Sequence, residues 1–275
     1  MKTLIAKTLI YSFSLSLILT SCSGSKQAST GQPTYDLLSQ QTVDAVLWYN
    51  TSAERDYIYE QGYATASRMV EENLSRKRTN RPPAVVLDID ETVLDNSPYQ
   101  VYLIKEGKSF EDRTWETWVN SSRAKVLPGA KKFINFCEER GVNVVFISNR
   151  DEKYKDATLR NLMEEGGINA IPDYVFLRTK ESSKTDRRER INAEFEVVLY
   201  VGDNLMDFDD RFEDRSSNYG KDVVSGSIIE MLPMYYLFPN PMYGQWLGAF
   251  PYPKGATDYD KAQVKLNSMS ISDSE

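Results

Sequence analysis

The chain has 275 residues, two cysteines and no histidine, and its 33 basic and 40 acidic residues give a formal charge of −7. Lacking an imidazole, it cannot be a histidine phosphatase, run a Ser-His-Asp triad or build the usual His-rich zinc site. The net acidity argues against a nucleic-acid polymer as partner, and any anionic substrate would have to be drawn in by a local cationic cluster or a metal.

Lys2 and Lys7 precede a mostly apolar run from Leu9 to Ile18, and Leu19-Thr20-Ser21-Cys22 follows. A basic start, an apolar stretch too short to span a bilayer and small residues before a cleavage point describe a secretory signal. LTSC resembles the bacterial lipobox, which predicts a signal over 1–21, a lipid anchor on Cys22, and a location in the bacterial cell envelope, at the outer membrane. Residues 22–34 are polar and of low complexity and read as a flexible tether. Taking 21 residues from 275 leaves 254, enough for one α/β domain over 35–275, with a charge of −9 once Lys2 and Lys7 are gone. Cys137 is then unpaired and reads as a small core residue, so no internal disulfide forms.

Residues 35–80 are a helical segment. Tyr59, Tyr63, Ala66, Val70 and Leu74 recur at spacings of three and four, which predicts one apolar face, and Ser52 is a plausible N-cap after a break at 50–53. The aromatic stripe Trp48, Tyr49, Tyr57, Tyr59 and Tyr63 reads as packing surface. Pro82-Pro83 ends the helical pattern. A catalytic core follows over 84–232, opening on the uninterrupted apolar run Ala84 to Leu87, which predicts a strand buried on both faces. Residues 96–127, with Trp115 and Trp118, look like a cap-like insertion over that strand's end. Further strands are predicted at Val142 to Ile147, Tyr174 to Leu177, Glu196 to Val201 and Ser227 to Leu232, with helices between them and a tail over 233–275. Strands alternating with helices predict a Rossmann-like parallel sheet of about five strands covered on both faces, its functional groups gathered at the carboxyl ends of the strands.

That arrangement brings four separated stretches to one rim: Asp88-Ile89-Asp90-Glu91-Thr92, Ser148-Asn149-Arg150, the Lys180 to Lys184 region, and Gly202-Asp203-Asn204 with Asp207. Asp88 is suited to attack phosphorus and carry an aspartyl phosphate. Asp90, two residues on, is suited to protonate the leaving oxygen and later to deprotonate water, work that must fall to carboxylates or lysines in a chain without histidine. Asp88, Asp203 and the Asp90 backbone carbonyl form an oxygen-only set that favours a hard cation, most simply Mg²⁺. Asp207 is expected farther out, or joined through water. Ser148 and Asn149 are placed to bind phosphate oxygens. Lys184 is preferred to Lys180 for neutralising the phosphoryl charge, because it heads a predicted helix.

DIDET, SNR, the Lys184 region and GDNLMD resemble the four motifs of the haloacid dehalogenase superfamily. More narrowly, VVLDIDETVLDNSPY with Asp203 and Asp207 is similar to the class C bacterial acid phosphatases, a group that includes lipoprotein nucleotidases. The resemblance implies a Mg²⁺-dependent phosphomonoesterase with an acidic optimum, centred on Asp88, Asp90, Asp203 and Asp207. It also implies nucleoside monophosphates, including nicotinamide mononucleotide, as substrates. Their base would stack on aromatic side chains, for which Trp115 and Tyr243 are the candidates. Two other readings stand beside this one: a noncatalytic ligand-binding lipoprotein on a phosphatase fold, and a phosphotransferase that delivers the phosphoryl group to an alcohol. A homodimer is left open as the assembly.

Overall fold

The computed structural model describes residues 40–269, so the signal, the tether and Cys22 lie outside the described residues. Helix α1 (Val43–Thr51) passes to α2 (Ala53–Ser75) at Ser52, whose extended backbone stops the first helix and whose hydroxyl accepts from the Arg55 amide to cap the second. The predicted face of α2 is buried along Tyr59, Tyr63, Ala66 and Val70. Strand β1 (Pro83–Leu87) begins at the second residue of the proline pair. The insertion beyond it is a short antiparallel ribbon, β2 (Leu94–Asp95) on β3 (Lys125–Val126), enclosing α3 (Ser97–Lys105) and α4 (Asp112–Asn120).

Helix α5 (Ala130–Glu139) leads to β4 (Asn143–Asp151). Between β4 and the next strand runs one helical stretch of changing pitch: a 3₁₀ turn at Glu152–Tyr154, α6 (Lys155–Arg160), then a π turn at Asn161–Glu165. After it come β5 (Val175–Arg178), α7 (Thr185–Glu194), β6 (Glu196–Gly202), α8 (Lys221–Met231), β7 (Tyr235–Leu237) and α9 (Asp258–Asn267). The sheet order is β5-β4-β1-β6-β7, and every neighbouring pair is parallel.

β1 lies at the centre and feeds both cores. Val85 and Leu87 join one cluster with Tyr63, Ala66, Val70, Phe133, Ile134 and the fully buried Cys137, while Ala84 and Val86 join another with Val145, Ile147, Ile191 and Phe195. This alternation explains why the strand is apolar throughout: each face has its own helical cover. From β1 the chain builds outward through β4 and β5, then returns to the other side for β6 and β7. The order therefore reverses between β1 and β6, and a crevice opens beyond their carboxyl ends.

The fifth strand is not where the sequence puts it. Ser227 to Met231 lies in α8, with Leu232 as its C-cap, and the edge strand is Tyr235–Leu237, within the stretch read as tail. A six-residue apolar run does not distinguish a strand from a buried helical turn. Here Lys221 to Gly226 extends the run to eleven helical residues, and Pro233 precedes the strand.

The basic linker after α2 is held to the sheet by Glu196 at the start of β6. Its carboxylate accepts from the Arg78 amide at 2.7 Å, the Thr79 amide at 2.8 Å and the Thr79 hydroxyl. These bonds, the Thr79 hydroxyl foremost, lower its pKa from 4.5 to about 2. A carboxylate depressed on folding stabilises the native state above its unfolded pKa, and that contribution is lost as pH falls through the folded value. In thermal melts, Glu196→Gln is expected to unfold at a lower temperature than the parent at neutral pH. The gap is expected to close between about pH 4.5 and about pH 2.

Candidate active site

Asp88 is the first residue past β1, and its amide donates to the Val201 carbonyl at 2.9 Å, so its position is set by the last rung of the β1–β6 pairing. Asp203 is the first residue past β6. Asp207 closes a 3₁₀ turn over Leu205–Asp207, where its Oδ2 accepts from the Asn204 amide at 3.0 Å and the Asn204 side chain accepts from the Met206 amide at 3.3 Å. One carboxylate oxygen from each of Asp88, Asp203 and Asp207 lies within 4.8 Å of the others. Asp207, expected at a distance, thus stands in the same cluster. A tight turn four residues long brings it back over the end of β6, and a turn of that kind is not visible as periodicity.

The Lys184 ammonium reaches Asp88, Asp207 Oδ1 at 2.7 Å and the Ile147 carbonyl at 3.0 Å, which uses all three of its protons. It is 4% exposed, whereas Lys180 is on the surface. Asp210 accounts for the placement of Lys184. It accepts from Ser183 at 2.8 Å, from Thr185 and from Arg188 at 3.0 Å, pinning both neighbours of the lysine. From the sequence Asp210 reads as a solvated acid, since nothing local shows that it faces the start of α7.

Burial is the largest influence on the Asp88 carboxyl, raising it from 3.8 to about 7; Lys184 holds it down, and Asp207 and Asp90 push it further up. Burial, then Asp207 and Asp88, raise Asp203 well above the usual carboxylate range. Burial works to lower Lys184, but Asp207 and Asp88 hold it above its ordinary value. Three recessed carboxylates therefore share one ammonium, and the remaining negative charge is unfavourable without a further cation. An oxygen-only donor set of this density fits a hard divalent ion.

Asp90 is bonded to a separate set of partners. Its Oδ1 accepts from Arg150 Nη2 at 2.8 Å, Arg150 Nε at 2.9 Å and Asn96 Nδ2 at 2.8 Å, and its Oδ2 accepts from the Ser148 hydroxyl at 3.1 Å. Ser148 is fully buried, so its hydroxyl is engaged with Asp90 and does not line the cavity; Asn149 and Arg150 do. Asn149 Oδ1 accepts from Arg187 at 2.7 Å. Asp203 is steadied by Asn240, whose amide donates to its Oδ2 at 2.7 Å. Arg150, Asn96 and Asn240 had no role in the sequence reading, although Arg150 adjoins Ser148-Asn149 and Asn96 lies six residues beyond Asp90.

These groups form the floor of a cavity of about 490 Å³. Its walls include Tyr99, Phe110 and Trp115 from the insertion and Tyr243 from the tail, so both nominated aromatic residues are brought to it. Trp115 stands edge-on to Tyr99 at 5.2 Å between ring centroids. A charged floor and an aromatic upper part suit a small molecule with an anionic end and a flat apolar end.

Residues 6–246 match the family described as HAD superfamily, subfamily IIIB (Acid phosphatase). The class C acid phosphatase from Bacillus anthracis superposes with a TM-score of 0.80 at 36% identity, covering 86% of this chain and 100% of that one. Its tungstate-bound crystal structure matches equally well. Acid phosphatase 1 of Solanum lycopersicum is 27% identical over 130 residues, 44% of this chain and half the length of the tomato protein. The stem 31 kDa glycoprotein of Glycine max is 24% identical over 201 residues, 69% of this chain and 72% of the soybean protein.

Asp207 packs over Gly202 so closely that a methyl group there would lie 2.9 Å from the Asp207 carboxyl carbon. Gly202→Ala is therefore expected to displace that carboxylate and weaken divalent-cation binding by about 10- to 100-fold, the range seen when supports of metal sites are removed. Titration with Mn²⁺ followed by electron paramagnetic resonance measures it, and unchanged affinity would place Asp207 outside the ion's surroundings.

Proposed function

The chain belongs to the acid phosphatases of HAD superfamily subfamily IIIB, and on that premise we propose that it is a Mg²⁺-dependent phosphomonoesterase acting through an aspartyl phosphate on Asp88. Its substrates are small organic phosphomonoesters, above all nucleoside monophosphates, nicotinamide mononucleotide among them. The observation that carries this reading is one cavity with Asp88, Asp90, Lys184, Asp203 and Asp207 at its floor and Tyr99, Phe110, Trp115 and Tyr243 around it. A relative crystallised with tungstate, an oxyanion, is consistent with phosphate as the group bound.

In the first step a carboxylate oxygen of Asp88 attacks phosphorus as the ester oxygen departs, and Asp90 gives that oxygen its proton. In the second, Asp90 takes a proton from water, the hydroxide attacks the phosphorus, and the P–O bond to Asp88 breaks. Inorganic phosphate leaves, and both carboxyl groups return to their starting states. Lys184, fixed between Asp88 and Asp207, presents positive charge to the phosphoryl oxygens throughout. The divalent ion, which Asp88, Asp203, Asp207 and the Asp90 carbonyl would hold, supplies further neutralisation of phosphoryl charge when bound. Tyr99, Phe110, Trp115 and Tyr243 stack on the base of a nucleotide and exclude water from the entrance.

We place the protein in the bacterial cell envelope, lipid-anchored at the outer membrane through Cys22, on the strength of LTSC and the polar tether after it. Among the described residues no helix is long and apolar enough to cross a membrane.

With a nucleoside monophosphate and Mg²⁺, Asp88→Asn is expected to abolish both turnover and acid-stable phosphoenzyme. Asp90→Asn is expected to lower kcat by about 10²- to 10⁴-fold while still forming phosphoenzyme from esters with good leaving groups. Turnover by the parent without any divalent ion would sink the metal-dependent reading, and full activity of either variant would show the roles to be misassigned. For the anchor, Cys22→Ala is expected to yield soluble or unprocessed protein; persistent labelling by a radioactive fatty acid would rule out Cys22 as the acylated residue.

A further inference from the structure

The general acid is held by a network reaching well beyond the catalytic loop. Arg150, 2% exposed, places Nε and Nη2 on Asp90 Oδ1, and its Nη1 is anchored on the Thr158 hydroxyl at 3.3 Å. Asn96, fully buried, donates to the same oxygen through Nδ2. Its other side-chain atom, Oδ1, accepts from the Trp118 indole N–H at 2.8 Å and from Arg150 Nη2 at 3.4 Å. Its backbone amide donates to Glu91 Oε1 at 2.7 Å. These partners leave Asn96 one orientation: indole and guanidinium groups only donate, so the amide oxygen must face them and the NH₂ must face Asp90. Asp90 is thus gripped by buried groups from two places, the strand end of β4 and the residue before α3, and Trp118 of α4 in turn fixes Asn96.

We propose that Arg150 and Asn96, the latter set by Trp118, are positioning residues that hold the Asp90 carboxyl on the leaving-group side of the cavity, so that their removal selectively impairs substrates whose leaving oxygen needs a proton. This rests on the phosphatase reading above. The insertion accordingly has a second task besides its aromatic wall. Through the Trp118–Asn96 bond it determines where the acid stands, and small displacements of a proton donor have large effects on rate. Among the described residues Arg150 and Asn96 hydrogen-bond to Asp90 and to none of Asp88, Asp203 and Asp207, so loosening them is expected to leave nucleophilic attack intact.

The test compares kcat/KM, which reports steps up to departure of the leaving group, for an alkyl ester (a nucleoside 5′-monophosphate) and for 2,4-dinitrophenyl phosphate, whose leaving group departs without a proton. For Arg150→Gln the alkyl ester is expected to lose about 100-fold, the scale of general-acid catalysis, and the dinitrophenyl ester no more than about threefold. Trp118→Phe keeps an aromatic ring and removes the indole N–H together with part of the ring, so it carries the test if Arg150→Gln does not fold; the same selective loss, smaller in size, is expected. Equal losses on both esters, or none on either, would overturn the proposal. A parent inactive on both esters would instead overturn the phosphatase reading, and this inference with it.

Discussion

Three carboxylates and one ammonium at the closed end of a buried sheet are the constraint around which this molecule is arranged. Asp88 and Asp203 end the adjacent strands β1 and β6, Asp207 folds back over Gly202, and Lys184 lies between Asp88 and Asp207. Burying negative charge in such excess is unfavourable unless a cation completes it. The raised pKa of Asp88 and of Asp203 expresses that unfavourable state. A site that stores electrostatic stress in this way is suited to a divalent cation, whose positive charge offsets carboxylates already in place.

Holding that arrangement requires a rigid loop after β1, and much of the outer structure serves it. Glu91 is fully buried with φ of +56°, a backbone region that side chains other than glycine and asparagine avoid. Its carbonyl accepts the Tyr59 hydroxyl at 2.5 Å, and the next carbonyl, Thr92, accepts Tyr63 at 2.6 Å. Tyr49 bonds Tyr59 at 2.6 Å, and Phe238 beyond β7 stacks flat on Tyr59 at 4.3 Å. The helical segment that precedes the sheet is thus a buttress, whose buried tyrosines satisfy loop carbonyls that no strand can pair. The aromatic stripe of α1 and α2 is packing, as its pattern predicts, with Tyr57 exposed to solvent and the others turned inward. What the pattern does not disclose is that three of the hydroxyl groups are as important as the rings.

The tail is likewise bound to the site. β7 completes the sheet, and the following residues deliver Asn240 to Asp203 and Tyr243 to the cavity wall. Misreading Ser227 to Leu232 as the last strand shortened the core by a few residues and made these contributions look peripheral. The error has a local cause, since a short apolar run with β-branched residues has no period of its own. The long runs at β1, β4 and β6 suffer no such ambiguity, being bounded by turn residues and buried on both faces.

The sequence by itself determined the sheet, because continuous apolar strands between amphipathic helices have few other ways to be covered. It also singled out Asp88 and Asp90, the residues proposed as nucleophile and acid, because chemistry-bearing residues follow directly on strand ends. The lack of histidine restricted proton transfer to carboxylates or lysines. Only the tertiary structure decided that Asp207 joins the carboxylate cluster, that Ser148 serves Asp90, and that Arg150, Asn96, Asp210 and Asn240 hold the reactive groups in place. Those contacts join residues on separate elements, or across a turn whose direction has no sequence period. Hydrogen-bond partners of that kind are chosen by where the folded elements meet.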